Sequence, residues 1–440
     1  MIALVKGKLK SEFLRGVLTL VTGTTLASLI TIAATPLLTR MYSPTDFGVL
    51  ALYMSILAIL SVIACGRYEL AIILPDNEQD AANLFTLSVL ISFGISLLAL
   101  ALVVLYYAGF ASIAPSPLLF PWLWLLPLSL LLSGLIQTAT YWMTRHKDYK
   151  QITVSQVNQT AAGTGFQIAW GTFAQLSAAG LIIGHLVGLL ASAKTLLWGI
   201  FRRNIKPSLP VDGLIGLKSQ AIIQKDFPLF SSWAAVLNTL SIHLPIFLIG
   251  AFFPAAIAGY FAVANRFMAL PMRLIGNSVG QVFYQHAAEA MRKGELRPLI
   301  LAITKRLTLI IIPPVLVFCI FAPWGFQMLL GDEWRPAGLI AQALSLYVAI
   351  QFIISPVSTT GSLLGLQKLS LIWTIGRTIG SVCALSIGGI IQSYLTAISL
   401  YSAFNCIAFI LLFMLYLYHS KRSDQDKVNH PPNTEFYPVR

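Results

Sequence analysis

Long apolar runs follow one another along the whole 440-residue sequence. Charged residues make up only 10% of the chain, whereas a soluble domain usually contains about 25%. A membrane-spanning helix needs about 20 apolar residues. Twelve runs meet this need, at roughly 15–39, 46–70, 81–107, 117–140, 152–174, 178–200, 228–251, 256–284, 302–323, 338–363, 369–390 and 393–418. The sequence therefore predicts an all-α polytopic membrane protein of about twelve transmembrane helices, and it excludes an ordinary soluble domain.

The basic residues are concentrated in alternate connections between these runs. Twenty-two of the 29 lysines and arginines lie at the two termini or in the connections on the same side, while the opposite loops hold only Arg40 and Arg335. Cytoplasmic loops are enriched in lysine and arginine, so we predict cytoplasmic termini in a bacterial inner membrane. Topology thus accounts for the net charge of +13, and no nucleic-acid partner is expected. The Pro75–Asp80 connection is acidic although it should also face the cytoplasm.

A weak internal repeat divides the chain into two halves. Pro36 in the first run precedes Phe47-Gly48-Val49, and Pro245 in the seventh run precedes Ala258-Gly259-Tyr260. Each copy combines a proline-interrupted helix, a short turn and a glycine near the start of the next helix. Because proline removes a backbone hydrogen bond and permits bending, Pro36 and Pro245 are predicted hinges. The predicted organisation is a six-helix lobe (1–200), a cytoplasmic linker (201–227), a second six-helix lobe (228–420) and a disordered tail (421–440).

Two arginines, Arg266 and Arg273, lie within the eighth apolar run. Seven residues turn an α-helix by about 700°, so both side chains would lie within roughly 20° of one face. Asn277 would return to the same face. A guanidinium near the bilayer centre costs about 2.5–3.5 kcal/mol on insertion scales. We predict that this face lines a transport cavity for an anion; pairing with buried carboxylates is the structural alternative.

Other polar residues in the apolar runs are candidates for the same cavity. Arg377 lies in the eleventh run beside two glycines, and a ligand-binding role and a packing role both fit it. Arg40 follows the first run, while Asn158 and Asn238 lie in the fifth and seventh. The two asparagines would line a polar route for sugar hydroxyls or form hydrogen bonds between helices.

Arg67 and Glu69 lie near the end of the second run. Being two residues apart, they point to different faces of a helix and cannot form a good intrahelical pair. Glu69 is the candidate site for a coupling ion, either H+ or Na+. A polar network at the membrane interface is the alternative.

The chain contains none of the enzymatic signatures that we sought. It has no glycine-rich phosphate loop followed by lysine, no HExxH and no paired Cys/His spacing. We predict no catalytic residue, metal or cofactor. Two other functions stay open: an ion-coupled drug or cation exporter, which would need intramembrane carboxylates, and a membrane polysaccharide polymerase or ligase, which would need a sizeable outer loop.

Three stretches resemble one protein family. They are residues 35–48 (TPLLTRMYSPTDFG), residues 67–75 (RYELAIILP) and the segment from Asp226-Phe227-Pro228 to Ala264-Asn265-Arg266-Phe267-Met268-Ala269-Leu270-Pro271. The chain is similar there to bacterial polysaccharide exporters of the O-antigen flippase (Wzx-like) type, and the similarity extends over nearly the whole sequence. These exporters belong to the multidrug/oligosaccharidyl-lipid/polysaccharide (MOP) superfamily.

The resemblance implies two six-helix lobes around a central cavity that opens alternately to either side of the membrane. It implies transport of an undecaprenyl-pyrophosphate-linked oligosaccharide from the inner to the outer leaflet, for O-antigen, capsule or exopolysaccharide synthesis. The cavities of this family are commonly cationic, which suits Arg266 and Arg273. The expected partners are the lipid bilayer, the polyprenyl-pyrophosphate-linked glycan, a polysaccharide polymerase and a chain-length regulator.

Overall fold

The structure is a computed structural model that describes residues 2–110, 117–173, 177–205, 207, 213–269 and 277–429. The regular elements of these residues are helical, which confirms the predicted all-α class. The α-helices are α1 (Ile2–Met41), α2 (Pro44–Ile63), α3 (Glu78–Leu105), α4 (Leu126–Arg145), α5 (Tyr149–Phe173), α6 (Ala178–Arg202), α7 (Gly213–Ile223), α8 (Ser232–Phe252), α9 (Ala255–Met268), α10 (Asn277–Lys293), α11 (Leu296–Leu330), α12 (Arg335–Ile354), α13 (Thr360–Leu363), α14 (Gln367–Ile390) and α15 (Tyr394–Asn429).

Ten segments of the described residues are long and apolar enough to cross a membrane. They include ten of the twelve runs that hydropathy predicted, and the two exceptions have different causes. The predicted run 152–174 corresponds to α5, which has the length of a span at 25 residues but is more polar than the ten. The predicted run 256–284 is not one described helix, since α9 ends at Met268 and α10 begins at Asn277.

The polar side chains of α5 are used in packing against α6. Gln151 Nε2 donates to the carbonyl of Thr195 (2.6 Å), and Gln167 Nε2 donates to the carbonyl of Leu181 (3.0 Å). The hydroxyls of Ser155 and Ser192 are 2.7 Å apart. Hydrogen bonds between neighbouring helices satisfy polar groups where water is absent. The low hydropathy of α5 is therefore compatible with a position inside a helical bundle.

Contacts divide the chain into two compact units. Unit 1 contains Met1–Ala262 with Leu329–Glu333, and unit 2 contains Val263–Met328 with Trp334–Arg440. The change from unit 1 to unit 2 falls inside α9, so α8 and the start of α9 pack with the first half of the chain. The predicted division into lobes at residues 201–227 stays a prediction.

The core of unit 1 surrounds Trp142 on α4. This side chain is fully buried, its ring lies edge-on to Phe85 with 5.3 Å between centroids, and its indole N–H donates to the carbonyl of Ile205 (2.7 Å). Buried side chains from α3, α5 and α6 complete the cluster. The indole hydrogen bond fixes the chain just after α6 against α4.

Unit 2 contains a tight pair of helices, α14 and α15. A Cβ on Gly388 would lie 2.2 Å from the Cα of Ala397, so the glycine allows the two backbones to approach closely. The indole of Trp373 donates to the carbonyl of Ala408 (2.8 Å), and α12 packs against α15. A second cluster joins α10, α11 and the segment after α12 around Phe283 and Ile300.

One predicted boundary was wrong. The second run was predicted to extend to residue 70, but α2 ends at Ile63 because Gly66 and Arg67 both adopt left-handed conformations, with φ of 60° and 65°. The disordered tail from residue 421 stays a prediction, and α15 continues to Asn429. The Asp424 carboxylate there accepts hydrogen bonds from the backbone N–H groups of Leu296 (3.1 Å) and Arg297 (2.9 Å). Residues 430–440 lie outside the described part of the chain.

Candidate functional site

The predicted cationic face is only partly described. Arg266 lies in the last turn of α9 and is half-buried. Arg273 lies outside the described residues, and Asn277 begins α10. The residue before a proline disfavours the α conformation, and Pro271 follows α9 closely. A shared face for Arg266, Arg273 and Asn277 therefore stays a prediction, because it requires one continuous helix and the described residues do not include one.

Arg377 is held on α14 by neutral groups. Its guanidinium carbon lies 5.2 Å from the ring centroid of Trp373 and 5.7 Å from that of Phe409. Its Nη1 donates to Asn405 Oδ1 at 3.4 Å, a long hydrogen bond. The ion pairs that the structure describes do not include Arg377. Attraction between a cation and an aromatic face amounts to about 0.5–2 kcal/mol, which offsets only part of the cost of removing the guanidinium from water.

Buried polar side chains support the group formed by Trp373, Phe409 and Asn405 around the guanidinium, which we call the Arg377 cage. Asn405 is fully buried on α15 and donates to Ser381 Oγ (3.1 Å) and to the carbonyl of Tyr401 (2.8 Å). The Tyr347 hydroxyl interacts with both Arg377 and Tyr401. The Nε of Arg377 is buried without an acceptor among the described residues. The guanidinium therefore has one buried donor without a described acceptor.

Glu69 is a buried carboxyl with an incomplete set of partners. Its side chain is only 1% exposed, and Oε1 lies 3.9 Å from Arg67 Nη1. Glu69 Oε2 and Arg67 Nε are both buried without hydrogen-bond partners in the described structure. Arg67 has a left-handed backbone conformation and is the last residue of the turn after α2. Glu69 lies on the 3-10 helix that follows, Tyr68–Ile73. The prediction that the two side chains lie on different faces of one helix does not apply, since α2 ends before both residues and their side chains approach each other to 3.9 Å.

The acidic Pro75–Asp80 connection lies against the basic end of α4. Arg145 Nε donates to Glu78 Oε2 (3.1 Å), and His146 Nε2 lies 3.2 Å from Glu78 Oε1. The same guanidinium donates to the carbonyls of Ile72 (3.2 Å) and Pro75 (2.6 Å). These contacts place both connections at the same end of unit 1, which the alternation of loops requires and which the charge pattern alone left open.

A close seam joins α2 to α8 and α9 within unit 1. A Cβ on Gly48 would lie 1.8 Å from the carbonyl oxygen of Ala255, and the side chain of Leu52 approaches Gly250 to within 2.8 Å of where its Cβ would be. One further turn along α2, the hydroxyl of Ser55 is hydrogen-bonded to His243 Nδ1 (3.1 Å). Positions 48, 52 and 55 lie on one helical face. The seam therefore runs along α2 from its first turn towards its middle.

The remaining predicted residues are dispersed over the described structure. Arg40 is exposed in the last turn of α1, and Asn238 is exposed on α8. Asn158 Nδ2 donates to Thr195 Oγ1 (3.1 Å), which is the helix-to-helix alternative for that residue. Pro36 and Pro245 lie inside the unbroken helices α1 and α8. A hinge at either proline stays a prediction. Among the described residues, no group of three or more His, Cys, Asp or Glu side chains could hold a metal ion.

The fold matches that of known membrane transporters. A multidrug resistance MATE family transporter of the MOP superfamily, in an inward-facing conformation, gives a TM-score of 0.71 at 16% identity over 92% of this chain and 96% of its own. The lipid II flippase MurJ, in an inward closed conformation, gives 0.68 at 14% identity over 96% of this chain and 93% of its own. The chain is thus a multi-pass helical membrane protein with the MOP superfamily fold.

Sequence comparison identifies the family. Residues 37–338 match the profile of the polysaccharide biosynthesis protein family, and the chain belongs to that family. It is 23% identical to the succinoglycan biosynthesis transport protein ExoT of Rhizobium meliloti (strain 1021) over 82% of this chain and 71% of that one. It is also 23% identical to the teichuronic acid biosynthesis protein TuaB of Bacillus subtilis (strain 168), over 51% of this chain and 46% of that one.

Proposed function

We propose that the protein is a flippase for undecaprenyl-pyrophosphate-linked oligosaccharide repeat units, and that it is a transporter without a catalytic step. It would move the head group from the inner to the outer leaflet of the bacterial inner membrane by alternating access. The observation that carries the proposal is the guanidinium of Arg377, whose partners among the described residues are neutral groups on neighbouring helices. The family membership and the similarity to transport proteins support the same class of substrate.

The physical problem of such transport is the charge of the head group. A pyrophosphate diester carries about two negative charges, and their transfer into hydrocarbon without partners is prohibitive. Guanidinium groups in a wet cavity replace the lost hydration with charge-assisted hydrogen bonds. The prenyl chain stays in the bilayer while the head group crosses. In this scheme Arg266, Arg273, Asn277 and Arg377 bind the pyrophosphate, and Asn238 contacts the sugars.

Glu69 is the residue that we propose for coupling to H+. It is a nearly unexposed carboxyl with one unpartnered oxygen, and burial raises its pKa above the usual value for glutamate. Its charged neighbour is Arg67, and the Tyr141 hydroxyl and Cys65 thiol also interact with it. Proton binding would remove the carboxylate charge beside Arg67. Bending of α1 and α8 at Pro36 and Pro245 would then accompany the change of access.

The test is complementation of a flippase-deficient strain that otherwise synthesises the glycan. Arg266→Ala should abolish surface glycan while membrane insertion continues, and Arg266→Lys should restore part of it, since a charge remains without the planar fork. Arg306→Ala, which removes an exposed arginine on α11, is the matched control and should export normally. Normal export by Arg266→Ala at wild-type protein levels would remove Arg266 from the mechanism. If the flippase-deficient strain did not accumulate lipid-linked glycan inside the cell, the proposed substrate class would be contradicted.

A further inference from the structure

Helix α7 exposes an unusually apolar surface. Leu214 and Ile215 are 81% and 79% exposed, and Ile222 and Ile223 are 58% and 62% exposed. Positions 214, 215, 222 and 223 fall on one side of an α-helix, with Ile215 and Ile222 at its centre, and the exposed Lys218 and Ser219 lie on the same side. Large aliphatic side chains exposed together in this way are uncommon on surfaces that face water. The exposed side of α7 therefore needs a cover.

The opposite side of α7 is firmly attached to unit 1. Leu217 and Gln220 are buried, and α7 packs against α3. The carbonyl of Ala221 accepts a hydrogen bond from the Tyr68 hydroxyl at 3.0 Å. Because this side is already occupied, the aliphatic side chains cannot turn inward without breaking these contacts. The orientation of the apolar surface is fixed by the fold.

The position of α7 in the chain favours a lipid cover. It follows the span that ends at Arg202 and precedes the span that begins at Phe227, so both of its neighbours in sequence meet the membrane surface. Phe230 and Trp233, at the near end of that second span, are 71% and 68% exposed and extend the same type of surface. Aromatic residues are enriched where a helix enters the interface.

Two lysines lie on or next to α7, and Asp226 directly follows the second of them. Lys218 lies between the exposed aliphatic residues, and Lys225 follows the helix; both are exposed. Lysine can bury its methylene chain and keep its ammonium group among headgroups. Basic residues at an amphipathic helix attract anionic lipid headgroups. A protein partner with a complementary surface would need an acidic and apolar site, whereas the bilayer interface supplies both properties next to the spans.

We propose that α7 is an in-plane membrane helix, whose Leu214, Ile215, Ile222 and Ile223 side chains insert among acyl chains while Lys218 and Lys225 contact anionic headgroups. Through the Tyr68–Ala221 hydrogen bond, the inserted helix holds the 3-10 helix that carries Glu69 at a fixed depth relative to the membrane surface. This inference is independent of the transported substrate.

Spin-label accessibility tests the insertion. The four native cysteines are replaced, and single cysteines are introduced into the full-length chain by Ile215→Cys and Ile222→Cys. Nitroxide labels there are read in phosphatidylcholine vesicles containing phosphatidylglycerol. Oxygen partitions into the bilayer, while a neutral nickel chelate stays in water. Leu97→Cys, 56% exposed on α3, is the membrane control, and Lys293→Cys is the water control.

We expect a several-fold higher ratio of oxygen to nickel collisions at both α7 sites than at Lys293→Cys, approaching the ratio at Leu97→Cys. Ratios equal to the water control would overturn the proposal. Labels that are shielded from both reagents in native membranes, yet exposed to nickel in vesicles of purified protein, would show that a protein covers α7, and would overturn it too.

The headgroup contact has its own readout. Removal of phosphatidylglycerol from the vesicles should lower the oxygen-to-nickel ratio at Ile222→Cys. The additional changes Lys218→Gln and Lys225→Gln should abolish this lipid dependence while the label stays in the membrane. An unchanged lipid dependence in the glutamine variant would refute the assignment of the two lysines.

Discussion

Gly48 of α2 and Gly259 of α9 meet at backbone distance. A Cβ on Gly259 would lie 2.8 Å from the backbone nitrogen of Gly48 and 2.0 Å from the carbonyl oxygen of Pro44. These two glycines occupy equivalent positions in the internal repeat, after the turns that follow Pro36 and Pro245. The two copies of the repeat are therefore in contact at their equivalent glycines, and no side chain larger than a hydrogen atom fits at either position.

Replacement of Gly48 by alanine should destabilise the protein. The added Cβ would meet the backbone oxygen of Ala255, which cannot rotate away as a side chain can. Overpacking of this kind typically costs about 1–3 kcal/mol, so thermal unfolding in detergent should occur at a lower temperature. Gly94→Ala on α3, with nothing within 4 Å of the new Cβ, is the control and should be neutral or slightly stabilising. Equal melting temperatures for the two variants would contradict the seam.

Stability should fall as pH rises, owing to Glu69. Burial raises the pKa of Glu69, and the charge of Arg67 opposes this only in part. The folded state thus binds the proton more tightly than the unfolded state. The free energy of unfolding is highest below the unfolded pKa of glutamate and decreases as pH rises towards the folded pKa. Melting temperatures measured between about pH 4 and pH 8 should show this slope in the wild type and a smaller slope in Glu69→Gln.

Glu78→Gln is the control for that pH series. Its side chain is 53% exposed and pairs with Arg145 and His146. This change should leave the contribution of Glu69 in place, so the downward slope should persist. If Glu69→Gln retained the full wild-type slope, the buried carboxyl would not be its source.

Variants of Arg377 can distinguish a role of this residue in stability from a role in transport. Arg377→Met keeps an unbranched side chain between Trp373 and Phe409 and removes a guanidinium that has no carboxylate partner in the described structure. Replacement of a buried charge by an apolar group is often neutral or stabilising. We expect a melting temperature close to that of the wild type together with strongly reduced glycan export. Loss of folding in Arg377→Met, with export preserved in Arg377→Lys, would instead assign a structural role to the charge.

The Asp424 contact should hold the start of α11. Two backbone N–H groups donate to its carboxylate, and loss of such a capping side chain costs about 0.5–2 kcal/mol. Asp424→Ala should therefore speed amide hydrogen exchange at Leu296 and Arg297. Gln425→Ala, which changes the exposed neighbour, should leave both amides protected. Unchanged exchange in Asp424→Ala would show that the contact contributes nothing to the helix start.

Hydropathy predicted most of the fold because a bilayer demands long apolar helices, and ten described segments satisfy that demand. Hydropathy was wrong where the end of a helix depends on local backbone geometry or on contacts with residues distant in sequence. The end of α2 depends on the left-handed pair Gly66 and Arg67, which no average over a window detects. The helical extension of α15 is accompanied by the Asp424 contact with a helix that starts 128 residues earlier.

The candidate site was predictable in its charges and less so in its surroundings. Arg377 stands out in an apolar run, and Trp373, four residues earlier, lies on the same helical face. Phe409, Tyr347 and Asn405 come from other helices, and the sequence carries no signal that they would converge on one guanidinium. The seam had a detectable signal, since the repeat aligns Gly48 with Gly259, but alignment alone does not indicate contact.

The polarity of α5 has a consequence for biogenesis. A segment whose glutamines and serines need α6 for their hydrogen bonds has little affinity for bare lipid when it leaves the ribosome. It would have to wait at the insertion machinery until α6 emerges, so that the two enter the bilayer as a preformed hairpin. A ribosomal pause or a truncation between the two helices would then leave α5 outside the bilayer.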